Sequence, residues 1–139
     1  MKFDWLSYLE VAQTLYNEVI STSNQANSAS INEAKIRSCI SRAYYSSFCL
    51  VRNYLRDVEG YSELINLKHD VHNHIINKIL LISQDTNFIN LGKDLRSLRN
   101  LRNKVDYEDE IPFHSLSANA KKALKYAEKI KKLLEKLKK

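Results

Sequence analysis

The stretch Leu95-Arg96-Ser97-Leu98-Arg99-Asn100-Leu101-Arg102-Asn103-Lys104-Val105-Asp106-Tyr107-Glu108 decides how this chain is read. Leucine recurs at 91, 95, 98 and 101 and is followed by Val105, which is the spacing of one apolar helix face. At about 100° per residue, Leu91, Leu98 and Val105 fall within about 40° of one another, with Leu95 and Leu101 on either side. Arg102 lands inside that arc, between Leu91 and Leu95. Asp106 sits at its edge, and Arg99 lies just beyond Asp106. A guanidinium on an apolar face must be paired or must contact something anionic, because an unpaired buried charge is very costly. Function is expected where local pattern and charge conflict in this way.

Working outward, the 139 residues are enough for one domain, 1–139, with a core that needs neither disulfides nor metal. With only two glycines and one proline, Pro112, long helices are allowed almost everywhere. No apolar run approaches the roughly 18 residues a membrane span needs. The N-terminus, MKFDWLSYLE, has no apolar core of a signal peptide, so a cytoplasmic protein is expected. Cys39 and Cys49 fall in one helical pattern, about 80° apart around the axis and roughly 15 Å along it, too far for a disulfide. Two free thiols fit a reducing compartment. Charge is uneven. Residues 121–139 carry nine lysines against Glu128 and Glu135, so the net +6 resides in a basic C-terminal helix, 115–139, on a near-neutral body. That face can attract nucleic acid; its plainer reading is a solvated lysine face.

The pattern predicts five helices and no strand. The first runs from Asp4, as N-cap, to about Ile20, with Trp5, Tyr8, Leu9, Ala12, Leu15, Tyr16 and Val19 inward. Residues 21–32 read as a loop. Ser30 and Glu33 read as a capping box for a second helix over about 32–58, ended by Gly60. In that helix Ile36, Ile40, Ala43, Tyr44, Phe48, Val51 and Leu55 make a broad apolar side. Opposite, Ser38, Arg42, Ser46, Cys49 and Asn53 make a stripe suited to close helix–helix contact, with Arg42 and Asn53 inside it. A third helix is expected over about 67–83, with Val71, Ile75, Ile76 and Ile79 inward. Ser83–Asn90 reads as a turn-rich connection, and the opening stretch is the fourth helix. Ser115 or Ser117 is expected to cap the fifth, whose Ala123, Ala127, Ile130, Leu134 and Leu137 form a heptad-like seam for the body or for another chain.

Several constellations carry little chemistry. No phosphate-binding glycine loop is present. His69 and His72 share a face at i, i+3, but His74 points elsewhere and no further ligand stands at a recognisable spacing, so no metal is expected. Cys49 lacks a neighbouring base, and both cysteines read as buried small hydrophobes. The group Arg99, Arg102, Asp106 and Tyr107 has two readings. In one, Arg102 and Asp106 pair to lock the fourth helix onto its neighbours, though Arg before Asp at i, i+4 is the weaker order for a local pair. In the other the group is an RNA site, where guanidinium forks bind phosphate and steady the charge that develops in phosphoryl transfer.

Ser41-Arg42-Ala43-Tyr44-Tyr45-Ser46-Ser47-Phe48, followed about sixty residues later by Arg102-Asn103-Lys104-Val105-Asp106-Tyr107, resembles the HEPN superfamily, in particular its small stand-alone prokaryotic branch with an RAYY-type second helix, a His after the following linker (here His69) and a late R-x-x-A-D-Y motif. Val105 stands where that motif has Ala. The resemblance covers about residues 4–135. It implies an all-α, up-and-down bundle of four to five helices, forming a homodimer with its cleft at the interface and needing no cofactor. It further implies a component of a prokaryotic toxin–antitoxin or phage-defence module that binds RNA or nucleotide, often beside a small nucleotidyltransferase antitoxin. Two alternatives are an active metal-independent endoribonuclease and a non-catalytic adaptor for a nucleotidyltransferase or other protein. The residues implied are Arg102, Asp106 and Tyr107 for catalysis and Arg42, Tyr45, Arg99 and Asn103 for binding nucleic acid or nucleotide. In active members a His follows the Arg by four to six residues. Here Asp106 or Tyr107 fills that position, and no His occurs between 75 and 113. Asp106 serves as base only with a raised pKa, which a neighbouring Arg opposes, and Tyr107 is a poor base near neutral pH.

Overall fold

A computed structural model describes residues 2–21, 29–61, 71–82 and 85–138. Five helices, α1 (Leu6–Ser21), α2 (Ala29–Asp57), α3 (Val71–Ile82), α4 (Thr86–Tyr107) and α5 (Phe113–Leu137), make the fold, with no strand among the described residues. The all-α, HEPN-like bundle expected from the sequence is therefore found.

α2 is the central element, packed against α1, α4 and α5. Four consecutive residues, Ser46, Ser47, Phe48 and Cys49, are all buried, which an α-helix achieves only when every side is covered. Its apolar side places Ile36, Ile40, Ala43, Tyr44, Val51 and Leu55 in the core at zero exposure. The stripe opposite faces α1: Lys35 pairs with Glu18 at 2.8 Å, Arg42 lies over the Tyr8 ring and Arg52 over the Trp5 ring, which fixes an antiparallel α1–α2 pair. Ser46 and Cys49 are buried in that stripe, but Arg42 is exposed at its outer edge rather than enclosed within it. The leucine face of α4 is buried as its spacing requires, with Leu91, Leu95 and Leu98 fully buried and Val105 nearly so. The seam of α5 docks on the body through Ala123, Ala127, Ile130 and Leu134.

Helix ends account for most departures from the expected boundaries. Asp4 does cap α1, its Oδ1 accepting from Leu6 N at 3.0 Å. Gly60, at φ 80°, ends α2 in a left-handed conformation, and Tyr61 N beyond it donates back to Leu55 O at 3.0 Å. The Ser30 capping box is not formed, because α2 begins at Ala29 and Ser30 is already helical; Glu33 instead pairs with Arg37 one turn on, at 3.2 Å. α4 also starts early, because the Asp85 carboxylate accepts from Asn87 N at 2.9 Å, so most of the expected Ser83–Asn90 connection is helix. α5 begins at Phe113 with Pro112 at its N-cap, and neither Ser115 nor Ser117 caps it. Pro fits there because the first helical turn has no use for its missing N–H. Much of the expected 21–32 loop, His69 and the beginning of the expected third helix lie outside the described residues.

Candidate functional site

The site lies where α2, α3 and α4 meet. Tyr44 and Tyr45 come from α2, His72 and Asn73 from α3, and Arg99, Arg102, Asn103 and Asp106 from α4. Arg102 occupies the middle. Its side chain is only 15% exposed, as its place on the leucine face dictates. One Nη donates to the Tyr45 hydroxyl at 2.7 Å and the other to Asn103 Oδ1 at 3.0 Å. Nε lies 2.7 Å from Asp106 Oδ2 in an ion pair, yet misses hydrogen-bond alignment, so this buried N–H has no hydrogen-bond partner. The guanidinium also stands over both tyrosine rings, 5.2 Å from Tyr45 and 5.6 Å from Tyr44. Arg102 thus faces Asp106 inside one chain, and it ties α4 to α2 as well as carrying charge to the site.

Asp106 is shared, accepting from Ser41 Oγ at 3.0 Å. Arg99 donates to the amide oxygen of Asn73, a neutral partner, and its buried Nε finds none. Both guanidiniums therefore act on Tyr44 and His72, and Asp106 is paired with Arg102.

The positive field marks a residue that the sequence reading did not place here. His72 stacks on Phe48 at 4.2 Å between centroids and on Tyr44 at 5.4 Å, and its Nδ1 meets the Tyr44 hydroxyl. Burial first, then the charges of Arg99 and Arg102, lower its pKa to about 4, so it is neutral near pH 7. Burial likewise raises the Tyr44 phenol, with the two arginines opposing. The Tyr44 hydroxyl is fully buried with His72 Nδ1 as its recorded partner, and a buried hydroxyl needs an acceptor for its proton. Tyr44 then donates, and the His72 proton resides on Nε2, making that nitrogen a donor. The signal was present: 72, 75/76 and 79 recur at helical spacing, which puts His72 on the buried face of α3.

Arg37 was also missed. It donates to Val105 O at 2.5 Å, Glu108 O at 2.9 Å and Asp109 O at 3.2 Å. A cation on the last carbonyls of a helix is favourable both as a cap and toward the helix dipole. It fixes the end of α4 that carries Asp106. No local pattern shows a contact reaching about seventy residues along the chain.

Beside Asp106 a cleft of about 290 Å³ is lined by Arg37, Ser38, Ser41, Arg42, Tyr45 and Asp106. Of the residues singled out by sequence, Arg42, Tyr45 and Asp106 line this cleft; Arg102 touches two of them and Asn103 touches Arg102, while Arg99 lies farther along α4 against Asn73. Tyr107 is not brought in: at 77% exposed it projects from the end of α4. His74 is exposed on α3, and no group of His, Cys, Asp or Glu among the described residues can hold a metal. Both cysteines are buried, and burial raises their thiols, Cys39 to about 12, which leaves them unreactive.

An arginine half-buried among tyrosines, beside a cleft lined by two further arginines, is chemically suited to an anionic ligand. The chain belongs to the HEPN domain family, whose family model matches residues 10–137, nearly its whole length. No curated protein and no solved structure is significantly similar to it.

Proposed function

We propose that the cleft beside Asp106 binds the phosphate of an RNA or nucleotide, and that the protein acts in a prokaryotic defence or toxin–antitoxin module. One observation carries this reading: Arg37 and Arg42 line a cleft that holds Asp106 and Tyr45, and Arg102, half-buried against both Tyr45 and Asp106, shares with Arg99 the positive field on Tyr44 and His72. A half-buried excess of positive charge is costly unless an anion offsets it. Arg42 stands exposed at the rim over the Tyr8 ring, and Tyr45 and Asn103 orient Arg102. The family membership supports the same reading, including a homodimer whose two sites share a cleft and a small nucleotidyltransferase as partner. Ultraviolet crosslinking of the purified protein to a short labelled RNA, with peptide mapping, tests it. Crosslinks are expected on the α2 peptide containing Tyr45; crosslinks confined to α5 would move the site to the lysine face.

A second reading, metal-independent RNA cleavage, is favoured by one observation: a histidine of α3 lies within the electrostatic field of Arg102 and packs on the same two tyrosines. In that reaction the ribose 2′-oxygen bonds to the adjacent phosphorus as the bond to the 5′-oxygen breaks, leaving a 2′,3′-cyclic phosphate and a 5′-hydroxyl that takes its proton from water. Arg102 and His72 Nε2–H would stabilise the charge on the phosphorane, and Asp106 would take the 2′ proton. Asp106 already accepts from Ser41 and is paired with Arg102, so it is poorly placed as a base, and binding is the better-supported function. RNA left intact in EDTA across the neutral range sinks the cleavage reading; cyclic-phosphate ends lost in His72→Ala establish it.

A further inference from the structure

We infer that Phe3, Trp5 and Tyr8, together with Arg42, form a base-stacking platform that extends the phosphate site toward single-stranded RNA. The three rings pack edge to face, with centroids 4.8 Å (Phe3–Trp5), 5.3 Å (Trp5–Tyr8) and 5.5 Å (Phe3–Tyr8) apart. They form one aromatic cluster at the start of α1. Phe3 remains 54% exposed and Trp5 and Tyr8 are half-buried, so the cluster presents aromatic surface to solvent. Two guanidiniums cover the cluster, Arg42 lying 4.7 Å from the centre of Tyr8 and Arg52 5.8 Å from that of Trp5. Arg42 is exposed and also lines the cleft with Tyr45 and Asp106. It therefore joins the two features: one side of its planar group lies on Tyr8 and its charge borders the phosphate site.

Aromatic faces interleaved with arginines are what unpaired nucleobases bind, because every base has a face to stack and every linkage a charge to neutralise. A duplex keeps its bases inside and cannot use the platform. A protein partner would use the aromatic area, but the arginines at its edge and the continuity with the cleft favour a ligand that alternates base and phosphate. This inference rests on the RNA reading of the cleft and names the form of RNA.

Trp5 is the one tryptophan of the chain, so its emission reports directly on the platform. The test titrates the full chain with a ten-nucleotide oligoadenylate, with inorganic tripolyphosphate and with an RNA duplex. The expected result is saturable quenching of Trp5 by the oligoadenylate alone. Measured by fluorescence anisotropy, Phe3→Ala and Tyr8→Ala should each weaken oligoadenylate binding roughly tenfold, with helicity retained and with little effect on tripolyphosphate. Phe3→Ala serves as the control for folding, since its ring is half exposed. If oligoadenylate binds and Arg99→Ala weakens it while Phe3→Ala and Trp5 emission are indifferent, the platform is wrong and the cleft stands. If no RNA binds at all, both fall. If Phe3→Ala instead turns a dimer into a monomer without changing RNA affinity, the platform is a contact between copies and the inference is overturned.

Discussion

Protonating His72 should cost the folded state stability, and the structure sets the sign and size. Burial against the α2 aromatics, then the charges of Arg99 and Arg102, lower the His72 pKa from an ordinary 6.5 to about 4. A base whose folded pKa is lowered is more easily protonated in the unfolded chain. Stability is therefore intact above about pH 6.5, is lost as pH falls through the window between 6.5 and 4, and levels off below it. Linkage across that window gives about 2 kcal/mol at pH 5. Because the ring is only half buried, solvent screening reduces this to about 1 kcal/mol. His72→Gln keeps an acceptor for Tyr44 and cannot take a charge. Urea unfolding of both proteins at pH 7.5 and at pH 5 should show the native chain losing about 1 kcal/mol more than the variant. Other groups titrate equally in the two and cancel. Equal losses in both would refute the burial of His72 against the α2 aromatics beside the two arginines. A phosphate bound in the cleft should raise the His72 pKa, visible in the shift of its ring proton resonances with pH.

Other outcomes follow from single contacts. Arg37→Ala removes three carbonyl contacts at the end of α4 and should lower unfolding free energy by about 1–3 kcal/mol, with hydrogen exchange rising first at residues 105–109. Leu98→Ala opens the fully buried seam of α4 and should cost about 2–5 kcal/mol in urea unfolding. Ser46 is buried with its hydroxyl unpartnered, so Ser46→Ala should be neutral or stabilising by up to about 1 kcal/mol in thermal melts. Arg102→Lys keeps the charge but loses the fork that reaches Tyr45, Asn103 and Asp106 together; it should fold, melt lower and bind RNA more weakly.

The leucine spacing of α4 and the apolar side of α2 were legible because helical periodicity is a local property, and both are buried as read. Arg102 on the leucine face was legible for the same reason, and its pairing with Asp106 follows from i, i+4 geometry. Helix starts were less so. Ser30 looked like a cap, but its helix had begun at Ala29, while Asp85 capped α4 five residues before the expected end of the turn. Side chains compete for a terminus, and the winner depends on where packing lets the chain turn. His72 and Arg37 were missed because their partners are distant in sequence, Tyr44 across α2–α3 and the carbonyls at the end of α4. The small-residue stripe was read correctly as a helix contact, but the burial of Arg42 was not: the Tyr8 ring gives its guanidinium a resting place at the edge.

The central claim is that Arg42, Arg99 and Arg102 hold the phosphates of RNA. The most direct measurement is fluorescence anisotropy of a labelled ten-nucleotide RNA at rising salt, for the native chain and for Arg42→Ala/Arg99→Ala, with circular dichroism to confirm the fold. Three neutralised phosphates predict that log affinity falls against log salt with a slope of about 2. The double variant should lose about two phosphates' share of that slope and most of the binding. Native affinity and slope retained in a folded double variant would contradict the claim.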